Sequence, residues 1–132
     1  MGKMTTRNVK ILVVDDEPDM CWAVMHIVEN SGRVARSALS GADALDVLGQ
    51  DDFQMVFLDA KLPDIDGLQM ALRIRRIQPP IRIVLVSGYY YKEDMMVETA
   101  LKKRHIDAFV SKPFENETIL KVIESIPSLS NL

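Results

Sequence analysis

Short, almost unbroken apolar runs alternate along this chain with longer stretches of three- and four-residue period. Lys10 to Val14, Met55 to Leu58 and Arg82 to Val86 are of the first kind, rich in Val, Ile and Leu. A strand with one wet face would alternate polar and apolar positions. These runs do not, so they read as strands buried on both faces of a parallel sheet. Arg33 to Ala38 and Ala108 to Val110 are more polar or shorter, and predict strands nearer the sheet edges. Between the runs lie stripes of helical period. Met20, Val24, Ile27 and Val28 form one; Ala44, Leu45 and Leu48 a second; Leu68, Ala71 and Leu72 a third. Val97, Ala100 and Leu101, then Ile119, Val122, Ile123 and Ile126, complete the set. Start signals keep the same phase. Ser40 with Asp43, and Asp66 with Gln69, have the spacing of a capping box, and Pro18 suits a first helical turn. Five strand–helix units in succession predict an α/β fold, a parallel sheet with helices on both faces.

Composition narrows the class. The 132 residues suit one domain, and 48% hydrophobic with 27% charged residues is a globular balance. Sixteen Lys and Arg stand against 19 Asp and Glu, a net charge of −3, which argues against a broad basic face for nucleic acid or anionic membrane. One cysteine, Cys21, excludes an intramolecular disulfide, and two distant histidines make a zinc cluster a poor reading. No apolar run is long enough to span a bilayer, and no secretory signal opens the chain. The expectation is a small soluble, cytoplasmic domain over residues 9–127, with a loose leader at 1–8 and a frayed tail at 128–132. Eight methionines read as core filler.

In open parallel sheets, sites form beyond the carboxyl ends of the strands. Asp15, Asp16 and Glu17 follow the first strand, Asp59 the third, Ser87 and Gly88 the fourth, and Lys112 and Pro113 the fifth. Taken singly, each has an ordinary explanation. The acidic residues would cap helices, Ser87 would make a turn, and Lys112 would be a solvated surface lysine. Those explanations leave the convergence of all of them on one edge unaccounted for. Clustered carboxylates without a partner repel and raise one another's pKa values, a cost that a hard divalent cation removes. Carboxylates with water favour magnesium.

The segments ILVVDDEPDM, VFLDAKLPDIDGL, LVSGYY and FVSKPF resemble the receiver domain of bacterial two-component response regulators, the chemotaxis-receiver family. The resemblance runs in order from about residue 8 to 127. It implies a flavodoxin-like (βα)5 fold with strand order 2-1-3-4-5, and a phosphoacceptor rather than a turnover enzyme. Carried over by position, Asp59 is the phosphoacceptor. Asp16 ligates Mg2+ directly, Asp15 mainly through water, and Asp59 and the backbone carbonyl of Lys61 complete the protein's share; Mn2+ can substitute. Lys112 pairs with Asp59 and then with the phosphoryl oxygens. Ser87 follows the phosphoryl group, and Phe109 is the aromatic switch that turns inward behind it. The Lys112–Pro113 peptide bond is cis in most of the family, and Pro63 and Gly67 match its loop after the acceptor. The implied donor is a phosphohistidine on a sensor histidine kinase or a histidine phosphotransfer protein. Met20, Trp22, Pro113 and Phe114 are the partner-binding candidates. Dimerisation would use the face of the fourth helix, fifth strand and fifth helix; neither nucleic acid nor membrane is an implied partner.

Some features depart from the family or leave room for rivals. Ser87 and Lys112 stand 25 residues apart, a few more than is usual, with the surplus around Tyr89-Tyr90-Tyr91 and Lys102 to His105. The three tyrosines read as a packed loop with one exposed ring. A flavin-mononucleotide site would want hydroxyls and free amides where Asp15, Asp16 and Glu17 stand. An aspartyl phosphatase would want a second Asp where Lys61 stands. A degenerate receiver that only binds partners stays open, as does a piece of a longer regulator, since no output motif is read after Ile126. Finally, with about 100° per residue and Met20 at zero, Val24, Ile27 and Val28 fall near ~40°, ~340° and ~80°. Trp22 falls near ~200°, which predicts an exposed ring at the site end of its helix.

Overall fold

The computed structural model describes residues 9–90 and 94–125. The expected leader and tail, Ile126 and Tyr91 lie outside that range. Strands and helices alternate in strict order: β1 (Lys10–Val14), α1 (Pro18–Asn30), β2 (Val34–Ala38), α2 (Gly41–Gln50), β3 (Met55–Asp59), α3 (Gly67–Ile77), β4 (Arg82–Ser87), α4 (Met95–Lys102), β5 (Ala108–Ser111) and α5 (Asn116–Glu124). All neighbouring strands pair in parallel, in the order β2-β1-β3-β4-β5. The two more polar strands are the two edges.

The continuous apolar runs follow from this layering. Successive side chains of a strand face opposite ways. Ile11 and Val13 enter a core with Val24 and Val28 of α1 and Ile119 and Ile123 of α5. Leu12 and Val14 enter the other, with Ala44 and Leu48 of α2, Ala71 and Ile74 of α3 and Val97 of α4. A polar residue at either parity would be buried without a partner, so none is tolerated until the strand ends.

Helix starts behave as their caps predict. Ser40 Oγ accepts the Asp43 N–H at 3.1 Å, and Asp66 Oδ2 accepts those of Leu68 and Gln69 at 3.0 and 3.3 Å. Pro18 opens α1. β3 and β4 each run one residue beyond their apolar runs, because Asp59 still pairs with Val86 and Ser87 with Ser111. The sheet therefore carries a carboxylate and a hydroxyl as its last rungs.

Candidate functional site

Asp15 is the first residue past β1. Its backbone N–H donates to the Ala38 carbonyl at 3.1 Å, and its side chain is buried. Its Oδ1 accepts the Glu17 N–H at 2.9 Å and its Oδ2 faces Lys112 Nζ at 2.8 Å. The same ammonium reaches Asp59 Oδ1 at 3.2 Å. Lys112 is held there because its backbone N–H donates to the Ser87 carbonyl at 2.8 Å, tying the end of β5 to β4. Four residues from four strand ends, Asp15, Asp59, Ser87 and Lys112, thus meet on one edge. Lys112 was expected beside Asp59; it also pairs with Asp15, and more closely.

Burial, and after it the Asp15 charge, pushes the Asp59 carboxyl above the ordinary carboxylate value, with Lys112 pulling the other way. Burial disfavours the Lys112 ammonium, yet its hydrogen bond to Asp15 and the charges of Asp15 and Asp59 outweigh that and hold its pKa high. Asp16 and Glu17 are exposed, and ligand oxygens of Asp15, Asp16 and Glu17 lie within 4.8 Å of one another. This all-oxygen group, open to solvent on one side, fits a small hard cation that keeps several waters. Glu17 was absent from the expected ligand set. Asp59 is not in the mutual group and is joined to it through the ammonium it shares with Asp15.

The loops at this edge are built around close approaches. A Cβ on Gly67 would fall 2.5 Å from the Asp59 carbonyl oxygen and 2.6 Å from Ala60 Cα, so only glycine lets α3 begin against the end of β3. The Gly67 N–H donates to the Ala60 carbonyl at 2.7 Å. Asp64 reaches across to α2, its two oxygens accepting the N–H groups of Gly41 and Ala42 at 2.9 Å each. Those bonds hold its carboxyl below the usual range. Lys61, whose backbone forms an isolated antiparallel β-bridge with Asp66, places Nζ 3.8 Å from the centroid of the Tyr89 ring. Ser87 is buried, and its Oγ accepts the N–H groups of Tyr89 and Tyr90 at 2.8 and 2.9 Å. The Tyr89 ring is exposed, whereas Tyr90 packs on the core edge-to-face with it.

The remaining candidates surround this edge. Met20 and Phe114 are half-buried and line one small cavity with Asp15 and Asp59, of about 10 Å³, the size of a single water. Trp22 is 67% exposed and stacks on His26 with ring centroids 5.1 Å apart. Pro113 is exposed, and the Lys112–Pro113 bond is cis. Phe109 is half-buried against the core that faces α2, α3 and α4. Cys21 lies beneath Asp15, donating to its carbonyl at 3.3 Å, and burial pushes its thiol up to about 11. That makes it an inert core residue.

A family model described as response regulator receiver domain matches residues 11–124. The nitrogen assimilation regulatory protein NtrX of Azorhizobium caulinodans is 34% identical over 86% of this chain and 25% of its own length. Chemotaxis protein CheY of Listeria monocytogenes is 30% identical over 88% of this chain and 96% of its own. The chain spans 7% of a hybrid signal transduction histidine kinase of Dictyostelium discoideum, so several relatives are far longer than it is. Among solved structures, the response regulator TrrA of Thermotoga maritima, in complex with Mg(2+)-BeF, superposes with a TM-score of 0.77 at 26% identity, covering 90% of this chain and 99% of that one.

Proposed function

This chain belongs to the response regulator receiver domain family, and from that premise we propose that it takes a phosphoryl group onto Asp59 as the phosphoacceptor of a two-component pathway. Receiver domains are signalling domains, and its output is a change of shape rather than a released product. The observation that carries the reading is one ammonium, Lys112, held between Asp15 and Asp59 at the strand ends, with the Ser87 hydroxyl on the next strand.

An Asp59 oxygen attacks the phosphorus of a phosphohistidine on a histidine kinase or phosphotransfer protein. The P–N bond breaks, its electron pair stays with the imidazole, and a P–O bond forms an acyl phosphate. Attack by one anion on another is the difficulty. Lys112 stays an ammonium and answers it by pairing with the incoming oxygens. Asp15 and Asp16, with Glu17 beside them, would hold Mg2+, aided by Asp59 and the Lys61 carbonyl. When bound, the cation neutralises phosphoryl oxygens and aligns donor and acceptor. Ser87 can stay an acceptor for the Tyr89 and Tyr90 amides while its single proton turns to a phosphoryl oxygen. Moving toward that oxygen carries both amides with it and vacates space for Phe109, which shifts the population toward the active form.

Acetyl phosphate with magnesium should place one base-labile phosphoryl group on the protein, and Asp59→Asn should abolish it. Asp16→Ala should raise the magnesium concentration needed by at least about ten-fold, since it removes a charged ligand. Phosphorylation of the same segment without Asp59 would overturn the assignment. No phosphorylation of the wild type would leave a receiver that only binds partners.

A further inference from the structure

We propose that the cavity at the amino ends of β4 and β5 binds a small molecule carrying a diphosphate group. It encloses about 580 Å³ between the turn that follows α3 and the turn that follows α4, and its wall is mainly polar. Arg75, Arg82 and Arg104 line it against one carboxylate, Asp107, in a chain whose net charge is −3. Arg82 is the first residue of β4, whereas Asp59 is the last of β3, so the two sites lie at opposite ends of the sheet. The proposal therefore goes beyond the phosphoacceptor reading.

The three arginines are not equivalent. Arg75 is a brace. Its Nε donates to the Arg104 carbonyl at 3.1 Å, and its Nη1 to the carbonyls of Pro79 and Ile81 at 2.9 and 2.6 Å. Its Nη2 donates to Asp107 Oδ2 at 2.7 Å, and that oxygen also accepts the Ile83 N–H at 2.8 Å. These bonds draw both turns onto one guanidinium and occupy most of its N–H groups. Arg82 and Arg104 have no such role, since no hydrogen bond or ion pair joins either side chain to a described residue. Arg104 also stands where glycine is the ordinary choice. It follows α4 with φ of 58°, and the His105 N–H closes the helix end on the Ala100 carbonyl at 2.8 Å. A side chain in that left-handed conformation strains the backbone, so local structure does not explain an arginine there. A cationic wall does. Three guanidinium groups against one carboxylate leave two positive charges over, which two linked phosphates neutralise. Each planar fork matches a pair of phosphate oxygens. The volume exceeds what a single phosphate fills and lies in the range of small-molecule sites. Pro79, Pro80 and the Arg75 brace stiffen the wall before anything binds, which lowers the cost of binding.

The test is a titration of the isotope-labelled full chain, without metal, with inorganic diphosphate and in a second arm with ADP. Amide shifts should centre on Arg82 and on residues 104–107, and rising salt should weaken binding. Arg82→Gln and Arg104→Gln should each weaken it at least about ten-fold, while Lys121→Gln, on α5, should leave it unaltered. Arg104→Gly separates binding from folding, because it removes the guanidinium and relieves the backbone. Affinity should fall as it does for Gln while the urea midpoint holds or rises. Tighter binding of ADP would show the nucleoside lying against the wall, and equal binding would make diphosphate alone sufficient; either supports the site. Equal binding of citrate or of inorganic phosphate would reduce the cavity to a general cationic patch and overturn the proposal. So would shifts centred on Lys112 at the phosphoacceptor edge, binding indifferent to both arginine replacements, or no saturable shift with either ligand. A midpoint lowered in Arg104→Gly would assign that arginine to the fold and overturn it equally.

Discussion

Lys61 and Tyr89 come from different loops, two residues past Asp59 and two past Ser87, and their meeting is a tertiary fact. The ammonium sits 3.8 Å from the ring centroid, a contact worth about 0.5–1 kcal/mol at an exposed site. Water that attacks an acyl phosphate on Asp59 must approach in line from this side, and neither side chain is a base that would orient it. Slow self-dephosphorylation is the expected behaviour. Lys61→Asn removes the cation and supplies an amide that can hold water, so loss of the phosphoryl group should quicken by at least the factor of about 2–5 that the contact represents. The decay of radiolabelled phosphoprotein checks this, and rapid decay indifferent to replacing either residue would refute it. Spacing indicated both positions separately. Their contact depends on the path of two loops that carry no periodic signal, as does the approach of Lys112 to Asp15.

At the scale of elements, legibility follows periodicity. Buried parallel strands announce themselves because both faces must be apolar, and β1, β3 and β4 lie where the apolar runs predict them, with the more polar β2 and β5 at the edges. The stripes were less complete. Met70 and Ile74 are fully buried on α3 beside the expected Leu68 and Ala71, because this helix is covered by neighbours over a wider arc than one stripe. Asp64 has no signature in the sequence, since a side chain capping a helix in a different unit leaves no local spacing to read. Gly67 is the element-scale hinge of the site. An alanine there must push α3 off the backbone of Asp59 and Ala60, and overpacking of this kind costs about 1–3 kcal/mol. Gly67→Ala should lower the urea midpoint accordingly and slow phosphorylation by acetyl phosphate, since α3 starts directly against the residue that would accept the phosphoryl group. Unchanged stability would mean that α3 can start elsewhere without cost.

For the molecule as a whole, the question is how a partner finds the acceptor edge. α1 begins three residues after Asp15, so its first turns flank the acidic group and present whatever the core does not use. The buried stripe takes Cys21, Val24, Ile27 and Val28, and leaves Trp22 outward, stacked flat on His26 with the ring planes 10° apart. That stack lays the ring over one neighbour, while two-thirds of it still faces solvent. A ring already held in one orientation loses little entropy when a partner covers it. Such anchors contribute about 2 kcal/mol or more, or roughly thirty-fold in affinity. Trp22→Ala should therefore slow phosphotransfer from the sensor kinase by roughly that factor at subsaturating kinase. Phosphorylation by acetyl phosphate, which needs no docking surface, should stay within about two-fold of wild type. Measuring both donors on one preparation separates docking from folding. Equal loss with both would show that Trp22 supports the helix rather than the encounter, and α1 would then need another anchor for its partner.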